Sequence, residues 1–287
     1  MRALVLSGGG CKGAYQVGAL SYLLGQLGRR YSILCGVSVG ALNAAFLAQF
    51  ASGEEKQASA QLEALWAPLD TPSIYRKWPV FGEAAAIWKS SVYDSTPLQR
   101  LVRTKLDAGK VRNSGKKLRV GAVSLNSGEY RVFAEDHPNL VEGVIASSAF
   151  PVMFAPVLIE GQLWTDGGVR EVTPLQAAID LGADTIDAIV CSPADSKAKF
   201  PAIPIALRVA ERSIDLMSDE IIENDLKVAE LYNQLAANKL STKRVIKLWT
   251  LRPSSSLIDN SLDFSPAKAK EMKARGFQDA KDHVVAT

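Results

Sequence analysis

The first fifty residues decide the fold. They read RALVLSGGGCKGAYQVGALSYLLGQLG over residues 2–28 and YSILCGVSVGALNAAFLAQF over residues 31–50. Residues 2–7 form a short apolar run typical of a buried strand, and apolar residues then recur at helical spacing until Gly28, which is placed to end a helix. A second strand is predicted at 31–35, followed by a tight turn and a helix over 41–50 that is apolar on nearly every face. This alternation predicts a parallel sheet with helices on its faces.

The rest of the chain continues the alternation after an interruption. Residues 54–117 are expected to be a mostly helical excursion, which includes a helix from Thr96-Pro97 to about Lys105. Further strands are predicted at 118–125, 130–133, 158–164, 185–191 and 245–251, and further helices at 174–182, 206–240 and 266–280. An apolar stripe from Ile214 to Leu235 predicts that the longest helix packs on the core. We therefore expect one α/β domain over residues 1–287, with three α/β/α layers around a mainly parallel sheet.

The composition excludes several classes of protein. Of 287 residues, 47% are hydrophobic and 22% charged, an ordinary globular mixture. The net charge of +3 gives no electrostatic support for nucleic-acid binding. Three widely spaced cysteines and two histidines indicate neither a disulfide framework nor a zinc or His-rich metal site, and they fit a reducing compartment.

No targeting segment is predicted. The apolar run before Ser7 is too short for a signal peptide. Residues 31–53 carry no charge and are long enough to span a bilayer, but their glycines and polar residues favour a buried strand and helix. We expect a cytoplasmic location, which is compatible with peripheral contact with a membrane. The sequence indicates no oligomeric state.

The first motif is GGGCKG at residues 8–13, between a predicted strand and helix. It matches the dinucleotide-binding pattern G-x-G-x-x-G, but that site needs an acidic residue about 20 positions later, and none precedes Glu54. Glycine N–H groups at a helix N-terminus can also donate hydrogen bonds to an oxyanion. The alternative is a plain tight turn.

The second motif is GVSVG at residues 36–40, again between a strand and a helix. This G-x-S-x-G pattern in this context is typical of a nucleophile elbow, in which a strained turn exposes the serine. Ser38 is therefore a candidate nucleophile, and a structural turn is the alternative.

The third motif is DGG at residues 166–168. Taken alone, it is more typical of a turn. A serine nucleophile needs a base, however, and the histidines are poor candidates. His137 lies in a turn-like segment, and His283 would complete a hydrolase triad only in a fold with more strands before the elbow. Asp166 is the remaining candidate.

Together these motifs resemble the patatin-like phospholipase family, whose members carry G-G-G-x-R/K-G, G-x-S-x-G and D-G-G or D-G-A in this order. The segment ASSAFPVMFAP at 146–156 also looks like a conserved block of that family. The resemblance covers about residues 1–180. Lys12 stands where arginine is more usual, and a lysine can pair with a carboxylate but cannot form a bidentate fork.

The resemblance implies a patatin-like fold and a serine acyl hydrolase that acts on lipids or other acyl esters without metal or cofactor. Ser38 would be the nucleophile and Asp166 the base. The oxyanion hole would comprise Gly8, Gly9, Gly10 and Val39, and the supporting motif residues are Lys12, Gly13, Gly36, Gly40, Gly167 and Gly168. Acyl transfer through the same residues and a non-catalytic lipid-binding protein are the alternatives.

Three tryptophans, Trp66, Trp78 and Trp88, fall close together in the helical excursion. They could form an apolar mouth or a lid for a fatty chain. The other interpretation, which we favour, is a small hydrophobic cluster under a proline-rich loop.

Overall fold

The computed structural model describes residues 1–79, 82–83, 88–194, 206–238 and 245–286. Its strands are β1 (Arg2–Leu6), β2 (Ile33–Gly36), β3 (Arg76–Lys77), β4 (Tyr93–Asp94), β5 (Lys117–Ser124), β6 (Tyr130–Ala134), β7 (Val157–Ile159), β8 (Gln162–Asp166), β9 (Thr185–Ile189) and β10 (Lys247–Leu251). Its α-helices are α1 (Gly13–Leu20), α2 (Val39–Leu47), α3 (Glu55–Trp66), α4 (Thr71–Ile74), α5 (Thr96–Lys105), α6 (Ala108–Asn113), α7 (Leu140–Ser147), α8 (Leu175–Asp180), α9 (Ala206–Ala237) and α10 (Pro266–Ala286).

The described strands form one large sheet and the small antiparallel hairpin β3–β4. Strands β10, β9, β1, β2 and β5 lie side by side in that order and run parallel. Strands β6 and β8 both pair antiparallel with β5, and β7 pairs with β8. The prediction of a mainly parallel central sheet with flanking helices is therefore confirmed.

Both faces of the sheet are covered by helices, and alternate residues of β1 point to opposite faces. Leu4 and Leu6 belong to a core that includes residues of α1, α2, α3, α5, α7 and α10. Ala3 and Val5 point the other way, into a smaller core that includes residues of α8 and α9. Of the stretch 31–53, residues 33–36 form β2 and 39–47 form α2. No helix of the described residues is both long and apolar enough to cross a membrane.

Two predicted elements differ from the structure. The strand expected at 158–164 is two strands, β7 and β8, joined by a tight turn at Glu160-Gly161, where both residues have positive φ (52° and 77°). The predicted apolar stripe on α9 is wrong in part, because Met217, Val228 and Leu231 are about half exposed (57%, 48% and 54%). Ile221 of the stripe does pack against the core, and the other residues of α9 that reach it are Ile222, Leu226, Ala229 and Tyr232. Residues 239–240 of the predicted helix lie outside the described residues.

Candidate active site

Ser38 lies in a strained turn between β2 and α2. Its backbone has φ 56° and ψ −127°, a conformation that costs free energy in a residue with a side chain. The turn is so tight that a side chain at either glycine would collide with the backbone. A Cβ on Gly36 would lie 2.3 Å from the Gly40 oxygen, and one on Gly40 would lie 2.1 Å from the Leu6 oxygen. The spacing of the G-x-S-x-G motif is thus a steric requirement of this turn.

The register of β5 brings Asp166 beside this turn. Gly36, the last residue of β2, pairs with Val120, and Asp166, the last residue of β8, pairs with Ala122. Because β6 occupies the opposite edge of β5, β2 and β8 follow one another along the same edge. They run in opposite directions, so their carboxyl ends meet and both Ser38 and Asp166 reach one cavity.

The Asp166 carboxylate is buried, and only one of its oxygens has a hydrogen-bond partner among the described residues. It is 3% exposed, its Oδ1 accepts a 2.8 Å hydrogen bond from the Gly168 N–H, and its Oδ2 has no hydrogen-bond partner among the described residues. Burial raises the pKa of Asp166 to about 7, against the opposing effects of the Ser38 hydroxyl and the Gly168 N–H. The Ser38 hydroxyl is therefore close enough to the Asp166 carboxylate to lower its pKa.

The glycine loop presents two N–H groups without partners. The backbone of Gly9 (φ 155°) and Gly10 (φ 57°) lies where glycine is favoured, and neither N–H donates to another described residue. A Cβ on Gly9 would lie 2.7 Å from Cys191 Cβ, and one on Gly10 would lie 2.2 Å from the Ser261 oxygen. Val39 begins α2, so its N–H has no partner within that helix. These three donors are available to an anion.

Gly8 does not belong in this donor set. Its N–H donates to the Val172 oxygen at 3.1 Å, so the inclusion of Gly8 in the oxyanion hole is corrected. The absence of a side chain is still useful there, because a Cβ would lie 3.3 Å from Ser38 Cβ.

The other motif residues support the loop and the elbow. A Cβ on Gly13 would lie 2.2 Å from Val39 Cγ2, and one on Gly167 would lie 2.4 Å from the Gly121 oxygen. Lys12 lines the same cavity as the glycines, and its Nζ donates to Ser192 Oγ at 3.4 Å.

A buried chain of hydrogen bonds, which the sequence reasoning missed, joins the elements that carry the motifs. The Trp66 indole donates to Asn43 Oδ1 (2.9 Å), Asn43 donates to Gln16 Oε1 (2.9 Å), and Gln16 donates to the Ser7 oxygen (2.8 Å). Ser7 Oγ accepts from the Cys191 N–H at 2.9 Å. These contacts fix α3, α2 and α1 to the ends of β1 and β9.

Ser147 is a second residue whose role the sequence reasoning did not identify. Its hydroxyl oxygen accepts a 3.0 Å hydrogen bond from the Ser38 N–H, and it is fully buried. Ser147 therefore holds the strained residue itself.

The site opens into a cavity of about 390 Å³ with a mostly apolar lining. Residues of α2 and α5 form one wall: Leu42, Phe46, Leu98, Leu101 and Val102. Asp166, Ser38 and the glycine loop lie on the wall of the same cavity, next to residues 214–222 of α9. A hydrophobic segment of a ligand would thus lie against the serine and its carboxylate.

Neither histidine lines this cavity. The ring of His283 packs edge-on against Trp249 (4.8 Å between centroids), and that of His137 packs against Phe133 (4.8 Å). Among the described residues, no group of three or more His, Cys, Asp or Glu side chains is arranged to hold a metal ion.

The tryptophans do not form one cluster. Trp66 is buried and lines the cavity, whereas Trp88 is 69% exposed. Trp78 is half-buried and donates to the Ser91 oxygen at 3.1 Å, away from the cavity lining.

The sequence profile described as patatin-like phospholipase matches residues 4–179. The chain belongs to this family. A curated relative, the cGAMP-activated phospholipase of Escherichia coli (strain TW11681), is 23% identical over 197 residues, which cover 61% of this chain and 53% of that protein. The chain thus spans about half the length of that relative.

Two solved structures match this chain. The crystal structure of VipD from Legionella pneumophila covers 99% of this chain and 67% of VipD, with a TM-score of 0.50 and 15% identity. That of the type III effector protein ExoU covers 99% of this chain and 52% of ExoU, with a TM-score of 0.41 and 15% identity. The match to VipD concerns the fold alone. The patatin-like profile ends before β9, although α9 contributes to the cavity.

Proposed function

We propose that this chain hydrolyses carboxylic esters of lipids, with Ser38 as nucleophile and Asp166 as general base. The observation that carries the proposal is that a serine in a strained turn and a buried carboxylate line one apolar cavity, and that the second oxygen of this carboxylate has no partner in the part of the chain that the structure describes. Membership of the patatin-like phospholipase family supports lipid ester hydrolysis as the class of activity.

The reaction proceeds through an acyl-enzyme. Ser38 Oγ attacks the ester carbonyl carbon while Asp166 takes the hydroxyl proton. The tetrahedral intermediate then breaks the C–O bond to the alcohol, and Asp166 returns the proton to the leaving oxygen. Water attacks the acyl-enzyme, giving its proton to Asp166, and the fatty acid leaves as Ser38 regains a proton.

The tetrahedral oxyanion is stabilised by the N–H groups of Gly9, Gly10 and Val39. Each such donor typically contributes about 3–4 kcal/mol to the transition state. The apolar surroundings strengthen these hydrogen bonds because little water competes for the oxyanion.

The acyl chain lies along α2. Leu42 and Phe46 follow Ser38 at intervals of four residues, so one face of the helix lines the cavity for about 12 Å from the nucleophile. Leu98, Leu101 and Val102 of α5 line the same cavity. Such a dry channel favours a fatty chain over a polar acyl group, and we expect the protein to meet this substrate by peripheral contact with a lipid surface.

A catalytic role explains Asp166 better than a purely binding role does. A buried carboxylate with an unpartnered oxygen destabilises the fold, and a lipid-binding protein needs no such group. We also propose that residues 206–286 belong to the same catalytic domain, since α9 and the loop at Ser261-Leu262 line the cavity.

The proposal is tested by labelling the purified protein with a fluorophosphonate and mapping the adduct by mass spectrometry. We expect one adduct, on Ser38, whose formation is abolished by Asp166→Asn and retained in His283→Ala. Asp136→Asn, which neutralises an exposed carboxylate, is the matched control. Labelling and ester hydrolysis that persist in Ser38→Ala would refute the proposal, and product analysis with an added alcohol separates hydrolysis from acyl transfer.

A further inference from the structure

Part of the cavity lining carries charged side chains, and we call this part the charged end. Asp215 and Asp219 lie one turn apart on α9 and both line the cavity, as do Lys12 and Ser192. This end lies beside the glycine loop, since Lys12 follows the loop directly and donates to Ser192. The same cavity is lined by buried Asp166, whose Oδ2 has no hydrogen-bond partner among the described residues, and an unpartnered buried oxygen points to a ligand in this cavity.

The charges at this end are close enough to influence one another. Burial raises the pKa of Asp215, Lys12 lowers it, Asp219 raises it and Arg212 lowers it. Neither carboxylate forms a hydrogen bond or an ion pair with another residue of the described part of the chain. The cavity lining therefore presents the ammonium group of Lys12 and two carboxylates that form no hydrogen bond or ion pair within the described part of the chain, with the charge of Arg212 near Asp215.

The helix that carries the two carboxylates is fixed to the body of the protein. Arg252 forms a 2.7 Å ion pair with Glu223 of α9 and donates to the Ser192 oxygen at 3.0 Å. Two residues further along, Asp225 Oδ2 accepts hydrogen bonds from the N–H groups of Val172 (3.0 Å) and Thr173 (2.8 Å). Asp215 and Asp219 thus stand at a defined place relative to the nucleophile.

We infer that Asp215 and Asp219 bind the ammonium group of a zwitterionic phospholipid whose phosphate is met by Lys12. The inference rests on the proposed function and adds the head-group class to it. With the acyl chain along α2, the alcohol side of the scissile ester faces the glycine loop and α9. A head group that carries a phosphate and an ammonium then finds charges of opposite sign to both.

An anionic head group is expected to be a poorer substrate. Its phosphate can still meet Lys12, but it brings no cation to Asp215 and Asp219, and its negative charge is repelled by theirs. Repulsion between an anionic head group and the two carboxylates would disfavour that lipid relative to a zwitterionic one.

The test is a competition in micelles of neutral detergent that contain equal amounts of phosphatidylcholine and phosphatidylglycerol with identical acyl chains. Because both lipids share one surface, the ratio of lysolipid products reports head-group selectivity alone. We expect the wild type to favour phosphatidylcholine and the Asp215→Asn/Asp219→Asn variant to lower that preference about tenfold, the effect of a charge interaction near the protein surface.

Two further variants make the result specific. Asp219→Glu keeps the charge and should keep the preference. Glu220→Gln removes the same charge from an exposed position on α9 outside the cavity lining, so it should leave the ratio unchanged. Fluorophosphonate labelling of Ser38 confirms that each variant retains a folded site. If the double variant is not labelled, the competition is measured with Asp215→Asn and Asp219→Asn separately.

The outcomes separate the two proposals. A wild type without preference, or a preference that survives the double substitution, overturns the head-group inference while lipid hydrolysis stands. A wild type that hydrolyses neither lipid and is not labelled at Ser38 overturns the proposed function itself.

Discussion

Replacing Asp166 by asparagine should stabilise the protein at neutral pH while it abolishes catalysis. The pKa of this carboxyl rises on folding from 3.8 to about 7 because the group is buried. Between these values the unfolded chain has released the proton and the native protein still holds it. The free energy of unfolding therefore falls as pH rises through this window.

The magnitude follows from the two pKa values. One unit of pKa is about 1.4 kcal/mol, so the ionisation of Asp166 costs about 1.7 kcal/mol at pH 5 and about 4 kcal/mol at pH 8. The asparagine variant has no such titration. Its stability relative to the wild type should therefore increase by about 2 to 3 kcal/mol between these pH values.

Urea denaturation followed by tryptophan fluorescence at pH 5, 6, 7 and 8 measures this difference. Burial also raises the pKa of Glu171 to about 7 and that of Asp225 to about 6, but both titrate in wild type and variant alike and cancel in the comparison. Asp136→Asn, at an exposed position, should show no such trend. A stability difference between Asp166→Asn and wild type that stays flat from pH 5 to pH 8 would refute the reasoning.

Four further predictions follow from the geometry. The kcat/KM for a neutral ester should fall about tenfold per pH unit below about pH 7, because only ionised Asp166 accepts a proton; a profile flat from pH 5 to 8 would contradict this. Ser147→Ala removes the acceptor of the Ser38 N–H and should lower kcat/KM about tenfold at unchanged fold by circular dichroism, since an orphaned buried donor costs about 1–3 kcal/mol. Gly40→Ala should give no folded protein or lower the unfolding free energy by more than about 3 kcal/mol in urea titration, as its Cβ would lie 2.1 Å from a backbone oxygen. Leu42→Trp should reduce hydrolysis of long-chain esters more than that of acetate esters, and equal losses on both would place the acyl chain elsewhere.

The local features of the site were predictable because short stretches of backbone determine them. The turn at Ser38 requires glycine at 36 and 40 for steric reasons that act within the turn and the adjacent β1. The alternation of apolar residues along β1 likewise follows from burial on both faces of the sheet.

The features that depend on distant contacts were not predictable from the pattern. The α9 stripe fails because the orientation of a helix depends on what covers it, and half of α9 faces the cavity and solvent rather than the core. The proximity of Ser38 to Asp166 depends on the register of β8 on β5, which the DGG motif does not encode.

The buried hydrogen-bond chain left a signal that could have been used. Gln16 and Asn43 are polar residues in helices that are otherwise apolar, and both are buried (0% and 1% exposed). A buried amide side chain is almost always hydrogen-bonded, so two of them in helices next to the glycine motifs indicate a contact between those helices. Their mutual pairing, however, requires the three-dimensional arrangement.

Burial of Asp166 accounts both for its proposed role as a base and for its cost in stability. An exposed aspartate is about three pKa units too weak to deprotonate a hydroxyl near pH 7 as well as imidazole does. Burial brings the pKa of Asp166 to about 7, so the carboxylate gains the basicity of a histidine without the ring. The same exclusion of water strengthens the N–H groups of Gly9 and Gly10 toward an oxyanion. An additional hydrogen-bond donor to Oδ2 would stabilise the fold, but it would also lower the pKa of Asp166 and so weaken the proposed base. This trade-off is consistent with the lack of a partner for Oδ2 among the described residues.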